Sequence, residues 1–322
     1  MARAFFSSGD LIADRRAHYA VMMSEAGDHS AAADLMRQSL DYLKSQFLQW
    51  PAGMFMLSEM HENAGETAEA VTLWRQLLKL DPEDRFGVAL KLAQCGLGET
   101  PDAAPPAYIE ALFDAYAPDF EESLVDKLQY CGPQKLAGLI TTHFPERSYQ
   151  HVLDLGCGTG LMGEEIHQHC GLLSGADLSE AMLKKAEEKQ IYTRLIKADV
   201  NLCNRSALVD DALPQPDMIL AADVFIYIGQ LERAFALAAE CLRRGGVFAF
   251  SVETHDRPEI QDSDGSCEDM ILQPSLRFTH SARYIQNLLQ ASRFEMLDYQ
   301  HIALRLDRGE YLDGYVFIAQ KL

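Results

Sequence analysis

The chain has 322 residues, enough for two domains of ordinary size, and 48% of them are hydrophobic, enough for each to bury a core. The formal net charge of -20 speaks against nucleic acid as a partner, because displacing counterions from a phosphate backbone takes clustered Lys and Arg. Seven cysteines without a C-x-x-C pair argue against a zinc site, a redox motif or a disulfide framework, so no metal is expected.

The N-terminus "MARAFFSSGDLIADRR" lacks the apolar core of a signal peptide, and no apolar run approaches the roughly 18 residues that cross a bilayer. No membrane span and a cytoplasmic location are therefore expected. From about residue 10 to 140 apolar residues recur at helical spacing, interrupted by short turns such as "AGDHS", "AGETA" and "LDPEDR". Two stretches align, "MMSEAGDHSAAADLMRQSL" and "MHENAGETAEAVTLWRQLL", with Gly27 over Gly65, Ala32 over Ala70 and Met36 over Trp74. Helix, glycine turn, helix and then Asp81-Pro82 is the tetratricopeptide pattern, in partial form. No catalytic constellation stands in this half, and His61 and Glu62 are expected on solvated helix faces. The Gly- and Pro-rich "GLGETPDAAPPAY", residues 96–108, is expected to be a linker between a helical domain at 1–100 and a second domain at 101–322.

After two or three amphipathic helices, the pattern from residue 150 alternates strand and helix. Strands are expected at "HVLDLG", "LLSGADL", "TRLIKADV", "PDMILAAD" and "GGVFAFSVE", with helices at 160–170, 179–190 and 229–243. Such alternation implies a doubly wound parallel sheet with ligands at the carboxyl ends of its strands. Two further runs, "FEMLDYQHIALRL" and "YLDGYVFIAQKL", predict a closing antiparallel hairpin.

The stretch "HVLDLGCGTGLMGEEI" contains two glycine registers. From Gly158, "GTGLMG" satisfies the dinucleotide-binding G-x-G-x-x-G. From Asp154, "DLGCGTG" is a carboxylate followed by three alternating glycines, Gly156, Gly158 and Gly160. Asp177 ends the second strand, where a carboxylate accepts ribose hydroxyls, and Asp199 ends the third, within reach of an adenine amine. Three carboxylates suit a cationic cofactor without phosphates, S-adenosylmethionine, better than a pyrophosphate.

"VLDLGCGTG", "GADLSEAML", "KADV" and "DMILAADVFIYIG" resemble, in order and spacing, the motifs of class I S-adenosylmethionine-dependent methyltransferases. "LFDAYAPDFEESLVDKLQYCGP" and "LQPSLRFTHSARYI" resemble a bacterial subfamily that joins tetratricopeptide repeats to that domain. The resemblance implies an α/β fold, a seven-stranded methyltransferase sheet with its C-terminal antiparallel hairpin behind an all-α tetratricopeptide-like domain. It also implies transfer of a methyl group to an acceptor, a small molecule or a protein, with the repeats a possible surface for a protein partner. Gly156, Gly158 and Gly160 would approach the methionyl part, Asp154 would order the loop, and Cys157 would fill a small-residue slot. Asp177 would take the ribose, Asp199 the adenine amine, and Leu178 and Val200 the faces of the adenine ring. Tyr116 and Phe120 would either fold over the cofactor or belong to helix core. Asp223, Tyr227 and His280 are the candidates for the catalytic side, joined by Arg277 and Tyr284. His280 is either a general base or a histidine at a helix start capped by Thr279 or Ser281, and Arg277 either meets an acidic acceptor or forms a salt bridge. The long polar stretch 254–280 is expected to cover the acceptor pocket. A nicotinamide-dependent reductase and a silent, cofactor-binding adaptor are the alternatives.

Overall fold

A computed structural model describes residues 7–256, 268–307 and 309–322. The chain divides into two compact units, Met1–Pro101 and Asp102–Leu322.

The first unit is helical: α1 (Leu11–Glu25), α2 (His29–Ser45), α3 (Pro51–Asn63), α4 (Thr67–Leu80) and α5 (Val88–Gln94), each packed on the next. Asp10 starts α1 by accepting from the amides of Ile12 and Ala13, both at 2.9 Å. The aligned glycines do the same work at the ends of α1 and α3. Gly27 and Gly65 stand at φ 91° and 78°. The following amides turn back onto Met23 and His61 at 3.0 and 2.8 Å, the Schellman closure that glycine enters without steric cost. The other aligned pairs share one environment, Ala32 and Ala70 fully buried, Met36 and Trp74 in the core. Glu62 is exposed and pairs with Lys91 at 2.6 Å. His61, expected on a solvated face, is instead buried, its ring held between the Glu66 carboxylate and the Arg37 guanidinium. Helical periodicity places a residue on a face but does not say which neighbour covers it.

The second unit opens with α6 (Pro106–Tyr116), a π-helical turn (Glu122–Lys127) and α7 (Gly132–His143). Then come β1 (Tyr149–Leu155), α8 (Leu161–Ile166), β2 (Cys170–Asp177), α9 (Glu180–Glu188), β3 (Arg194–Lys197), α10 (Arg205–Leu208), β4 (Met218–Ala221), α11 (Glu232–Cys241) and β5 (Val247–Glu253). The chain finishes with β6 (Met270–Leu272), β7 (Phe278–His280), α12 (Ala282–Ala291), β8 (Phe294–Asp307) and β9 (Glu310–Lys321). Seven strands form one sheet in the order β3-β2-β1-β4-β5-β9-β8. The first five are parallel, and β9 runs antiparallel to both β5 and β8. Strand residues alternate between two buried faces, as the period of two requires. Leu153, Ile219, Phe248 and Phe250 pack with α11 and α12, while Val152, Met218, Leu220 and Ala249 pack with α7 and α8. Strand order reverses between β1 and β4, which opens a crevice beyond their carboxyl ends.

Two expectations about segments change. The Pro-rich part of 96–108 is not free linker: the Asp102 carbonyl accepts from Gly229 and Gln230 at 2.8 and 2.9 Å, and the Ala104 amide donates to Tyr227 at 2.8 Å. Those bonds supply partners that a loop otherwise finds in water, and they assign residues from 102 onward to the second unit. The stretch 254–280 is not loop throughout, because β6 and β7 pair antiparallel within it. Its central residues, 257–267, lie outside the described residues.

Candidate active site

The glycine loop leaves β1 at Asp154, which is 1% exposed. Its Oδ2 accepts from the Tyr192 hydroxyl at 2.7 Å, while Oδ1 is buried with no partner among the described residues. Burial pushes the carboxyl up to about 7, against the pull of the Tyr192 bond and with a further push from Asp177. An oxygen left in this state marks a place where a donor is due.

Gly156, Gly158 and Gly160 all have positive φ, at 63°, 53° and 94°. At Gly156 a Cβ would stand 2.2 Å from Val224 Cγ2, so the loop lies against the end of β4 closer than any side chain permits. At Gly158 nothing lies within 4 Å of such a Cβ, and the loop faces open space there. Cys157 is buried between them, its amide bonded to the Ala176 carbonyl at 3.0 Å. Burial holds its thiol well above the ordinary range, so it fills the small-residue slot without thiolate chemistry.

Asp177 ends β2 and accepts from two amides, Gly158 and Ser179, each at 2.8 Å. Burial raises its pKa despite those bonds, and Asp114 adds to the rise. A carboxylate has about four acceptor positions, so two amides leave capacity for further donors. Leu178 beside it is half-buried. Asp199, also half-buried, accepts from the Asn201 amide at 2.7 Å. Val200 is buried and packs in the core with Leu155 and Ala176.

Helix α6 spans these groups. Asp114 accepts from the Ser179 hydroxyl at 2.6 Å, at the N-cap of α9, and Glu110 pairs with Lys197 at 2.6 Å. One residue before Asp114, Phe113 meets Tyr227 edge-on at 5.4 Å and Phe120 at 6.1 Å. The helix therefore lies beside both the end of β2 and the turn after β4. Tyr116 and Phe120 are half-buried, and Tyr116 titrates above its ordinary value through burial, with Arg277 acting against it.

The end of β4 carries a second group of polar side chains. Asp223 is held at φ 62°, its amide bonded to Ser251 Oγ at 2.9 Å. Its Oδ2 accepts from Arg305, whose other guanidinium nitrogen binds Glu253. Arg277 pairs with Glu253 at 3.1 Å and with Asp307 at 2.9 Å. Burial works against the Arg305 charge, but Asp223 and Glu253 hold it above its ordinary value. Asp223 Oδ1 and the Tyr130 hydroxyl are buried with no partner among the described residues. Tyr227 titrates above its ordinary value through burial and then through Asp223.

Two catalytic-side expectations are corrected. His280 is 0% exposed, and its Nε2 donates to the Gly229 carbonyl at 3.0 Å. Burial lowers it to about 4, so it is neutral and enclosed, not a base at the crevice. The helix start belongs to Ser281, which caps α12 by accepting from the Tyr284 amide. Tyr284 is also turned inward, donating to Glu232 at 3.1 Å and accepting from the Leu231 amide at 2.9 Å. Arg277 takes its salt-bridge role.

Sequence reasoning missed Tyr192, Tyr130, Phe113, Glu253 and Arg305. Only Tyr192 had a local signal: Gly163 in α8 and Gly175 in β2 leave room for its ring, with would-be Cβ contacts of 2.4 and 2.8 Å.

Residues 153–248 match the family model of a methyltransferase domain. A ubiquinone biosynthesis O-methyltransferase of Coxiella burnetii is 26% identical over 106 residues, 32% of this chain and 43% of the relative. Methyltransferase-like protein 27 of Homo sapiens is 31% identical over 121 residues, 37% and 45% of the two chains. A malonyl-[acyl-carrier protein] O-methyltransferase of Enterobacter lignolyticus is 26% identical over 156 residues, 48% and 57%. The chain thus spans about half the length of these curated relatives. Among solved structures, an S-adenosylmethionine-dependent methyltransferase from Clostridium acetobutylicum aligns with TM-score 0.46 at 17% identity, covering 65% of this chain and 99% of that one.

Proposed function

We infer that this chain, whose residues 153–248 carry a methyltransferase domain, is an S-adenosylmethionine-dependent methyltransferase. The observation that carries the reading is Asp154 Oδ1, a buried carboxylate oxygen without a partner at the foot of an open glycine loop. It fits a cationic amino group. A pyrophosphate would meet Asp154, Asp177 and Asp114 as like charges in a poorly solvated crevice, which counts against the nicotinamide alternative.

Asp154 would hold the ammonium or a water bridging to it, Asp177 the ribose hydroxyls with the capacity its two amides leave, and Asp199 the adenine amine. Leu178 would flank the adenine. Val200 supports that wall from the core, and Tyr116 and Phe120 would close the site from α6. Bound there, the cofactor supplies an activated methyl group. The protein's part is to align the acceptor and exclude water, which α6 and the Phe113–Tyr227 contact favour at the crevice mouth. We assign the helical unit, with its paired glycine turns, a tetratricopeptide-like role in recruiting the acceptor or a protein partner.

Incubation with methyl-labelled S-adenosylmethionine and fractionated cell extract tests the reading. Label should enter one fraction with wild-type protein and not with Asp177→Ala. Cofactor binding with no transfer to any fraction would favour the silent adaptor.

A further inference from the structure

We propose that Tyr130, Asp223 and Tyr227 form the acceptor site, and that Asp223 Oδ1 receives the N–H or O–H of a neutral or cationic nucleophile, so that carboxylates are excluded as acceptors. The inference rests on the methyltransferase reading and adds the acceptor class.

Asp223 lies just past β4, on the far side of the strand-order reversal from the carboxyl end of β1. Val224 touches the Gly156 position, so Asp223 is one residue from the loop that would carry the methyl donor. The carboxylate is held in a conformation that L residues rarely adopt, φ 62°, by the Ser251 bond and by Arg305. This grip fixes Oδ2 and leaves Oδ1 buried with no partner. The second orphan is independent of the first. Tyr130 is 5% exposed, its hydroxyl has no partner, and it lies in the fields of Asp223, Arg305 and Asp154 alike. Both unsatisfied groups thus lie close to the Arg305 guanidinium, between the residues that follow β4 and those that pair with β8.

Charge decides which acceptor can meet Asp223 Oδ1. Both guanidinium groups of the cluster are engaged, Arg305 by Asp223 and Glu253, Arg277 by Glu253 and Asp307. An incoming carboxylate would meet Asp223 Oδ1 with neither guanidinium free to compensate it, at a buried site where like charges repel strongly. An amine or hydroxyl would supply the donor that Oδ1 lacks. In the transfer, the acceptor's nitrogen or oxygen pair, freed first by loss of a proton to Asp223 Oδ1 where the acceptor is an ammonium, forms the bond to the methyl carbon. The carbon–sulfur bond breaks with its pair remaining on sulfur, and a neutral acceptor's proton passes to Asp223 Oδ1.

The test uses the full chain saturated with S-adenosylhomocysteine and compares benzylamine with benzoate by thermal shift at matched ionic strength. Benzylamine should stabilise the wild type and benzoate should not. The shift should vanish in Asp223→Asn and shrink in Tyr130→Phe, which removes only the orphan hydroxyl, while the affinity of both variants for S-adenosylhomocysteine stays within about twofold. Label transferred into extract should survive mild base, as N-methyl and ether products do, and should fall roughly 100-fold or more in Asp223→Asn. Preference for benzoate, no shift with benzylamine, a shift that survives in both variants, or base-labile ester product overturns the proposal. Failure of the wild type to bind S-adenosylhomocysteine would instead overturn the methyltransferase reading itself.

Discussion

Replacing Asp154 by Asn should stabilise the apoprotein while weakening its hold on the cofactor. The carboxyl titrates at about 7 in the folded chain against an ordinary 3.8, because burial disfavours its charge and only Tyr192 answers it. A raised carboxyl pKa means that the folded state holds a proton the unfolded state has released. Its contribution is complete below about pH 4 and is lost as pH rises through about 7, at about 1.4 kcal/mol per unit. Over that window the loss sums to on the order of 4 kcal/mol. Asn keeps an acceptor for Tyr192 and never ionises. In urea unfolding of cofactor-free protein, the variant should therefore match the wild type near pH 4 and exceed it by several kcal/mol at pH 8. Its affinity for S-adenosylmethionine should drop by about 1.5–3 kcal/mol, the range for hydrogen bonds to charged groups. Equal pH slopes for the two proteins, or a variant less stable at pH 8, would refute the assignment of a buried, uncompensated carboxylate.

Gly156→Ala should abolish cofactor binding by driving its Cβ into Val224, and Val224→Ala in the same chain should restore part of it, leaving about 1 kcal/mol of left-handed backbone cost. Calorimetry on the single and double variants checks this, and no rescue would mean that the loop fails for another reason. His280→Ala should cost about 1–3 kcal/mol by leaving the Gly229 carbonyl unpaired, with turnover per folded molecule unchanged. A large fall in turnover with stability intact would return His280 to the catalytic side. Phe47, 97% exposed at φ 60°, closes α2 where glycine belongs, so Phe47→Gly should raise stability by about 1 kcal/mol in denaturant unfolding.

The glycine loop and the places of Asp154 and Asp177 beside it were legible because those places depend on spacing along one strand–turn–helix segment, where local geometry follows local sequence. The two aligned glycines that close α1 and α3 were legible for the same reason. Asp223 was found as a residue at the end of a strand. Its partner Arg305 was not, since 82 residues separate them and only the antiparallel placement of β8 and β9 brings the guanidinium home. His280 shows the opposite failure. Its ordinary pKa near neutrality made it a candidate base, but the pairing of β6 with β7 buries it, and burial is a property of the packed chain. Linker chemistry at 102–104 misled similarly, because the side chains of Asp102 and Ala104 carry no signal for the backbone bonds these residues make with Tyr227, Gly229 and Gln230.

Titration calorimetry of the full chain with S-adenosylmethionine, S-adenosylhomocysteine and NADH, side by side at pH 8, tests the central claim most directly. The orphaned Asp154 oxygen and the acidic surroundings of the glycine loop predict binding of the first two and none of NADH. Binding of NADH with no heat from either adenosyl ligand would contradict the account.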